Sequence, residues 1–237
     1  MIPLKDTIPS RTVPVVNYML IIINAVIFLF EVSLPARELQ ALIQTFGVIP
    51  HKFIYLGQID APFLIRIYPL FTSMFLHGGW FHIVGNMWFL WIFGDNVEDR
   101  MGHVRYFFFY IISGVGAALA HIFLTPQSTA PTIGASGAIA GVMGAYFILY
   151  PQARVITMII IFFFIDIIEV PAFLFLGVWF ILQFFQGTFS LMAGPSAGGV
   201  AWWAHFGGFL IGASLVFLFK RPKHKVANTY ADQYFPW

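Results

Sequence analysis

Residues 13–30 form an almost continuous apolar segment, long enough to cross a lipid bilayer, for which about 20 residues are needed. Only 9% of the whole chain is charged, compared with about 25% in a typical soluble domain, and the mean hydropathy is +0.84. The sequence therefore predicts an all-α integral membrane protein. Its 237 residues allow one helical bundle, residues 1–237 forming a single membrane domain.

Six membrane-spanning helices are predicted. No Ala-x-Ala cleavage motif follows the first apolar segment, so we interpret it as a retained helix and not as a signal peptide. The other five are expected at about 82–93, at 104–124, in a glycine-rich stretch that ends at Tyr150, at 171–185 and at 200–219.

Two segments do not fit this pattern. Residues 31–72 are interrupted by four prolines and hold only short apolar pieces, and their aromatic content favours a long, ordered first loop at the membrane interface. Residues 155–170 are strongly apolar but short for a span, and they contain Asp166 and Glu169. We interpret this second segment as interfacial or half-inserted.

Basic residues indicate the orientation of a six-span chain, because Lys and Arg are enriched in cytoplasmic loops. Residues 1–12, 94–105, 151–154 and 220–237 would share one side. That side carries Lys5, Arg11, Arg100, Arg105, Arg154, Lys220, Arg221, Lys223 and Lys225. The other side carries Arg37, Lys52 and Arg66. Both termini are therefore expected in the cytoplasm, as an N-terminal segment at 1–12 and a tail at 220–237.

Composition also excludes several functions. The net charge of +2 is too small to suggest a nucleic-acid partner. The absence of cysteine removes disulfides, cysteine nucleophiles and thiolate metal sites. No His-Glu-x-x-His run is present, which argues against an intramembrane zinc protease. We therefore expect no cofactor and no metal.

Glycines recur at intervals of three and four between Thr132 and Ala145, at Gly134, Gly137, Gly141 and Gly144. On a helix this spacing produces a smooth stripe along which a neighbouring helix can approach closely. Ser136 lies at the start of the stripe. On its own, a small residue in this position is interpreted as a packing residue.

Polar side chains elsewhere in the apolar helices change that interpretation. His82, Asn86 and His205 are costly inside a membrane, where such groups by default indicate function. A serine nucleophile needs a base within hydrogen-bond reach, and Gly208 and Gly212 would let the helix of His205 approach closely. His82 and Asn86 share one helix face and offer N–H donors for an oxyanion. The alternative for each residue is a structural contact between helices.

A charged stretch at 94–102 follows the second predicted helix. We expect it to form a turn in which Glu98 and Arg100 pair with each other and with the backbone. The alternative is a solvated loop.

These motifs resemble the rhomboid intramembrane serine proteases over residues 14–219. The matching stretches are Gly134-Ala135-Ser136-Gly137, Ala204-His205-Phe206-Gly207-Gly208, His77 with His82 and Asn86, Phe46-Gly47-Val48-Ile49-Pro50, Thr72 to His77, and Glu98-Asp99-Arg100. The resemblance implies a six-helix core and cleavage of transmembrane proteins. It also implies a Ser136–His205 dyad without an acidic third member, and an oxyanion site formed by His82, Asn86 and the Ser136 backbone N–H.

Two positions depart from the family pattern. Tyr68-Pro69 stands where many members have Trp-Arg, and Ala140 stands where some members have an aromatic residue stacked on the histidine. We therefore expect other contacts to orient His205. His77 is expected to brace the first loop.

Substrate and water must both reach such a site. We expect the loop at 187–199 and the fifth helix, with Trp179 and Phe180 among its bulky side chains, to form a lateral gate and cap; the alternative is that these aromatics only face lipid. The expected partners are transmembrane protein substrates and membrane lipids, and the expected location is a prokaryotic plasma membrane. A catalytically silent rhomboid-like chaperone and a small transporter are the alternative functions.

Overall fold

In the computed structural model, which describes residues 1–161, 164–192 and 200–221, six longer helices form a bundle. They are α1 (Val15–Ser33), α5 (Trp80–Met101), α6 (His103–Leu124), α7 (Ser136–Leu149), α8 (Ala172–Met192) and α9 (Trp202–Phe219). Helix α7 contacts α5, α6, α8 and α9 and therefore lies at the centre. The largest group of buried apolar side chains surrounds it, including Phe93, Tyr106 and Tyr146.

Glycines bring α7 and α9 into backbone contact. A Cβ atom at Gly144 would lie 2.1 Å from the Phe209 carbonyl oxygen, and one at Gly212 would lie 2.0 Å from the Gly141 oxygen. A Cβ at Gly137 would lie 2.8 Å from the Cβ of Ala117 on α6. The predicted smooth stripe is confirmed for Gly137, Gly141 and Gly144, where no larger side chain fits without moving a helix, whereas Gly134 lies before α7 begins.

Four helices within the described residues are long and apolar enough to cross a membrane: α1, α6, α8 and α9. Helix α5 has 22 residues but carries charges in its last two turns. Helix α7 is apolar but has only 14 residues. The chain is thus a mostly helical integral membrane protein.

The long first loop is ordered, and it contains the helices α2 (Ala36–Phe46), α3 (Pro50–Gln58) and α4 (Phe63–Thr72). The hydroxyl of Tyr68 donates to the carbonyl of Thr45 at 2.9 Å, and that of Thr72 donates to the carbonyl of Phe46 at 2.7 Å. Tyr68, which departs from the family pattern, therefore joins α4 to the end of α2.

The predicted charged turn at 94–102 is wrong, because α5 continues to Met101 and the chain turns only at Gly102, with a positive φ of 79°. Glu98 is fully buried and accepts hydrogen bonds from the backbone N–H groups of Val16 and Asn17, at 2.9 and 2.7 Å. These are unpaired donors in the first turn of α1, where a carboxylate is also favoured by the helix dipole.

Arg100 has a different partner from Glu98, so the predicted pair between them is also wrong. Its guanidinium donates to the carbonyl of Arg221, and the N–H of Arg221 donates to the carbonyl of Arg100 at 3.0 Å. Glu98 and Arg100 thus fasten the end of α5 to the start of α1 and to the end of α9. Both are structural contacts at one end of the bundle.

A three-stranded antiparallel sheet corrects the all-α prediction. Strand β2 (Arg154–Ile161) pairs with β1 (Ile2–Asp6) on one side and with β3 (Phe164–Pro171) on the other. Val155 faces Asp6 across one pair and Val170 across the other. The β-branched run in residues 155–161 favours strand over helix. The segment predicted to be interfacial therefore forms two strands, and its depth in the membrane stays a prediction.

Strand β1 lies along α5. The indole N–H of Trp88 donates to the carbonyl of Pro3 at 2.6 Å, and the amide of Asn96 donates to the Asp6 carboxylate at 2.8 Å. The hydroxyl of Tyr146 also donates to Asp6. Burial raises the pKa of Asp6 to about 6, so the charged form that accepts these bonds is the less stable one below that pH.

Helix α8 extends to Met192, beyond the end predicted at 185, so residues 187–192 of the predicted gate loop are helical. Residues 193–199 of that loop lie outside the described residues. Of the predicted tail at 220–237, residues 222–237 also lie outside them.

Candidate active site

Ser136 is the first residue of α7, at the end of an extended segment that is held from both sides. Val48 and Thr132 exchange two backbone hydrogen bonds, of 3.0 and 2.7 Å, and the N–H of Gly134 donates to the carbonyl of Ser73 at 2.9 Å. The first loop therefore braces the segment that leads into Ser136. Gly134 has a φ of 122°, which a residue with a side chain adopts only with strain.

His205 on α9 meets Ser136 across the glycine-lined contact between α7 and α9. Its ring nitrogen Nε2 lies 2.7 Å from Ser136 Oγ, and the residue is 9% exposed. A Cβ at Gly208, one turn further along α9, would lie 2.2 Å from the carbonyl oxygen of Gly137. The hydrogen bond thus depends on the close approach that the glycines allow.

The contacts that orient His205 come from α8 and α9, in the absence of an aromatic residue at Ala140. Gln183 Oε1 lies 2.8 Å from His205 Nδ1. The rings of Trp179 and Trp202 lie 6.0 and 6.1 Å from the imidazole, between ring centres. Gln183 is not among the site residues predicted from the sequence, although an amide in an apolar helix is a signal that could have indicated it.

His82 and Asn86 lie beside the turn that precedes Ser136. A Cβ at Gly134 would lie 2.7 Å from His82 Nε2 and 3.5 Å from Asn86 Nδ2, so both nitrogens face this backbone. The N–H of Gly78 donates to His82 Nδ1 at 3.3 Å, which makes Nδ1 an acceptor and leaves the proton on Nε2. His82 therefore presents an N–H donor towards Gly134.

The amide of Asn86 is a second donor at this place. Its Nδ2 atom is buried and has no hydrogen-bond partner among the described residues. An unpaired buried donor is uncommon, because it loses its bonds to water without replacement. The arrangement suits an acceptor that is bound only during a reaction.

His77 lies in the loop before α5, next to the His82 ring, with 5.1 Å between ring centres. Its backbone N–H donates to the buried carboxylate of Glu31 at 3.1 Å, which ties this loop to the last turn of α1. Both of its ring nitrogens are buried and have no hydrogen-bond partner within the described chain. The backbone of His77 therefore braces this loop against α1, whereas the imidazole ring makes no hydrogen bond within the described chain.

Glu98 and Arg100 do not join the other predicted site residues. Asn86 and Glu98 are separated by about 18 Å along α5, at the rise of an α-helix. Ser136, His205, His82, Asn86, Gly134 and Gly137 come together at one end of α7, with His77 beside His82.

Within the described residues, a small cavity adjoins Ser136 and a larger one lies next to it. The smaller, of about 30 Å³, is lined in part by Ser136, Gly134 and Ser73 and has room for a water molecule. The larger, of about 230 Å³, is bordered by His121, Gln127 and Ser190. Thr132 and Ala201 line both, so the cavities are neighbours. Gln127 is exposed, which places the larger cavity at the surface of the bundle.

Comparison with known families adds an independent observation. The model of the rhomboid domain matches residues 65–222, which include Ser136, His205, His82 and Asn86. The chain belongs to the rhomboid family. The matched residues extend from within α4 to the end of α9 and include β2 and β3.

Several curated rhomboid proteins are similar to parts of this chain. The mitochondrial RHOMBOID-like protein 6 of Arabidopsis thaliana is 41% identical over 76 residues, which are 32% of this chain and 24% of that protein. The Rhomboid protease GluP of Bacillus subtilis is 29% identical over 133 residues, 56% of this chain and 24% of GluP. Rhomboid protein 1 of Saccharomyces cerevisiae, a mitochondrial protein, is 30% identical over 91 residues, 37% of this chain and 26% of that protein.

The aligned part thus spans about a quarter of each of these relatives. Other relatives carry mitochondrial or chloroplastic names. Membership of the family and the apolar helices support an integral membrane protein, whereas the relatives do not support the expected prokaryotic plasma membrane.

Proposed function

We propose that this rhomboid is an intramembrane serine protease that hydrolyses peptide bonds in or near the transmembrane segments of other membrane proteins. The observation that carries the proposal is the 2.7 Å contact between Ser136 Oγ and His205 Nε2, beside the two donors His82 and Asn86. A nucleophile, a base and aimed N–H donors are the groups that acyl transfer requires.

The reaction would begin with attack of Ser136 Oγ on the scissile carbonyl carbon while His205 Nε2 takes the hydroxyl proton. The carbonyl oxygen becomes an oxyanion that accepts hydrogen bonds from Asn86 Nδ2, His82 Nε2 and the Ser136 N–H at the positive end of α7. The intermediate collapses as the C–N bond breaks and His205 gives its proton to the leaving amine. Water, activated by His205, then hydrolyses the acyl ester and restores Ser136.

The length of α7 supports a site below the membrane surface. Its 14 residues extend over about 21 Å, whereas the hydrocarbon core is about 30 Å thick. A helix that reaches one surface with Leu149 therefore begins several ångströms beneath the other. The small cavity at Ser136, which borders the larger one through Thr132 and Ala201, would supply the water that hydrolysis consumes.

We also propose six spans, formed by α1, α5, α6, α7, α8 and α9, with both termini in the cytoplasm. Single cysteines at the exposed residues Gln127, in the loop before α7, and Gln152, in the turn after it, are then expected to react with a membrane-impermeant maleimide from opposite sides of sealed vesicles. The chain has no natural cysteine, so the maleimide can label only the introduced one. Labelling of both positions from the same side would contradict the six-span topology.

We also propose that α8 forms a lateral gate for substrates, because aromatic side chains hold it against α9. Phe180 on α8 stacks on Phe206 at 4.8 Å and meets Phe209 at 4.7 Å, between ring centres, so it holds α8 against α9. Trp179 also contacts His205, which makes Phe180 the cleaner position for a test.

If movement of α8 limits the rate, Phe180→Ala is expected to raise turnover of a membrane-embedded substrate several-fold, because it weakens the contact with α9. Turnover of a soluble, unstructured peptide should change little. Phe173→Ala, at an exposed aromatic on the same helix, serves as the matched control. Equal turnover by Phe180→Ala and wild type, with unchanged thermal stability, would instead favour a purely lipid-facing role.

The function itself is tested with purified protein in proteoliposomes and a panel of single-span substrates. The wild type is expected to release two fragments from at least one substrate, and Ser136→Ala to release none. Binding of the same substrates without cleavage by the wild type would favour the silent chaperone. Equal cleavage by both proteins would contradict Ser136 as nucleophile.

A further inference from the structure

The side-chain amide of Gln183 makes hydrogen bonds to His205 and to the backbone of α8. We infer that Gln183 is a positioning residue, which fixes the tautomer and orientation of His205 for proton transfer from Ser136. This inference rests on the proposed function, and it adds a residue on α8 to the Ser136–His205 pair. The carbonyl Oε1 of Gln183 lies 2.8 Å from His205 Nδ1, and the side chain is only 6% exposed.

The hydrogen bond made by the NH₂ group of Gln183 determines which atom of the amide faces His205. Gln183 Nε2 lies 3.3 Å from the carbonyl oxygen of Trp179, one turn earlier on the same helix. A carbonyl oxygen only accepts hydrogen bonds, so the NH₂ group must point to Trp179 and the oxygen must point to the imidazole. The reversed amide would set two acceptors against each other.

The tautomer of His205 follows from this orientation. Because Gln183 Oε1 only accepts, Nδ1 of a neutral imidazole must carry the proton and donate it to Gln183. Nε2 then has a free lone pair directed at Ser136 Oγ, 2.7 Å away. The opposite tautomer would have a proton on Nε2 and would be unable to take one from Ser136.

A neutral amide stabilises the imidazolium form of His205 less than a carboxylate would in this place. It fixes the ring and its tautomer, but it brings no negative charge to balance the imidazolium that forms during attack. The expected contribution is therefore smaller than that of the acidic third member of a Ser-His-Asp triad.

The position of Gln183 on α8 gives this contact a further consequence. Helix α8 is held against α9 by Phe180 and by Gly187, where a Cβ would lie 2.9 Å from the Trp203 ring. When α8 moves away from α9, His205 loses the acceptor at Nδ1. If α8 opens to admit a substrate, it must therefore pack against α9 again before His205 is oriented for catalysis.

Kinetics of substituted proteins test the assignment. Gln183→Leu keeps a similar volume but removes the acceptor, and we expect kcat to fall about 10–100-fold with KM unchanged, less than the ~10⁴-fold loss caused by a wrong tautomer in a full triad. Gln183→Glu retains an acceptor oxygen for His205 and, when its other oxygen is protonated and donates to the Trp179 carbonyl, should keep most of the wild-type kcat. Gln186→Leu, at an exposed glutamine on the same helix, is the matched control and should match wild type.

A spectroscopic measurement keeps the test independent of proteolysis. In protein labelled with ¹⁵N-histidine, His205 of the wild type is expected to carry its proton on Nδ1, and Gln183→Leu should shift it towards Nε2. A wild-type His205 protonated on Nε2 would overturn the inference, even if no substrate is ever cleaved. An unchanged kcat and an unchanged spectrum in a folded Gln183→Leu protein would overturn it while leaving the proposed protease intact.

Discussion

Ser136→Ala and His205→Ala are each expected to reduce cleavage of a transmembrane substrate below detection while the protein stays folded. Ser136 Oγ and His205 Nε2 share one hydrogen bond of 2.7 Å, so loss of either atom ends proton transfer from the nucleophile. In a serine protease, removal of one member of such a unit costs about 10⁶ in kcat. The measurement is initial cleavage rate in proteoliposomes, with melting temperature recorded for each variant.

The double variant is the sharper test of the pair. Because the two residues act as one unit, Ser136→Ala combined with His205→Ala should be hardly slower than either single variant. Ser190 and Ser214 provide matched controls, since their hydroxyls donate to carbonyls of their own helices, Gly187 and Leu210. Ser190→Ala and Ser214→Ala should cleave normally, as should Ser196→Ala, whose residue lies outside the described part. Additive losses in the double variant would show that Ser136 and His205 act separately.

Asn86→Ala is expected to leave weak but measurable cleavage, with kcat reduced about 10²–10³-fold, roughly 3–4 kcal/mol of transition-state stabilisation. The bond from Nδ2 forms mainly to the oxyanion, so KM should stay near the wild-type value. His82→Ala should lose at least as much, because its Nε2–H is directed at the same place and its ring also packs near His77.

Two further variants separate donor loss from packing. Asn86→Asp keeps the shape of the side chain but has no amide donor, and it should lose at least as much kcat as Asn86→Ala. His77→Ala should have a smaller effect, since its bracing bond to Glu31 comes from the backbone. Wild-type kcat in both Asn86→Ala and His82→Ala would make these residues helix-packing contacts and would remove the oxyanion assignment.

Much of the bundle follows from local pattern. The apolar segments give the helices, and the glycine spacing gives the contact between α7 and α9, because both features depend on periodicity along a single helix. The Ser136–His205 contact was predictable for the same reason: two polar groups occur on helices that glycines allow to meet.

The features that were missed depend on contacts between distant segments. A continuous apolar run at 155–161 has no period that distinguishes strand from helix, and β2 is completed by pairing with β1, some 150 residues earlier. Helix α5 runs through its charged stretch because Glu98 finds the unpaired N–H groups of α1. The contact of Gln183 with His205 becomes visible only when α8 is placed beside α9.

The most direct test of an activated Ser136 is covalent labelling with an alkyl fluorophosphonate, followed by mass spectrometry of the intact protein and of its peptides. We predict a single adduct on Ser136 in the wild type, and none in His205→Ala over the same time. An adduct on a different serine, or equal labelling of Ser136 in the absence of His205, would contradict a Ser136–His205 protease.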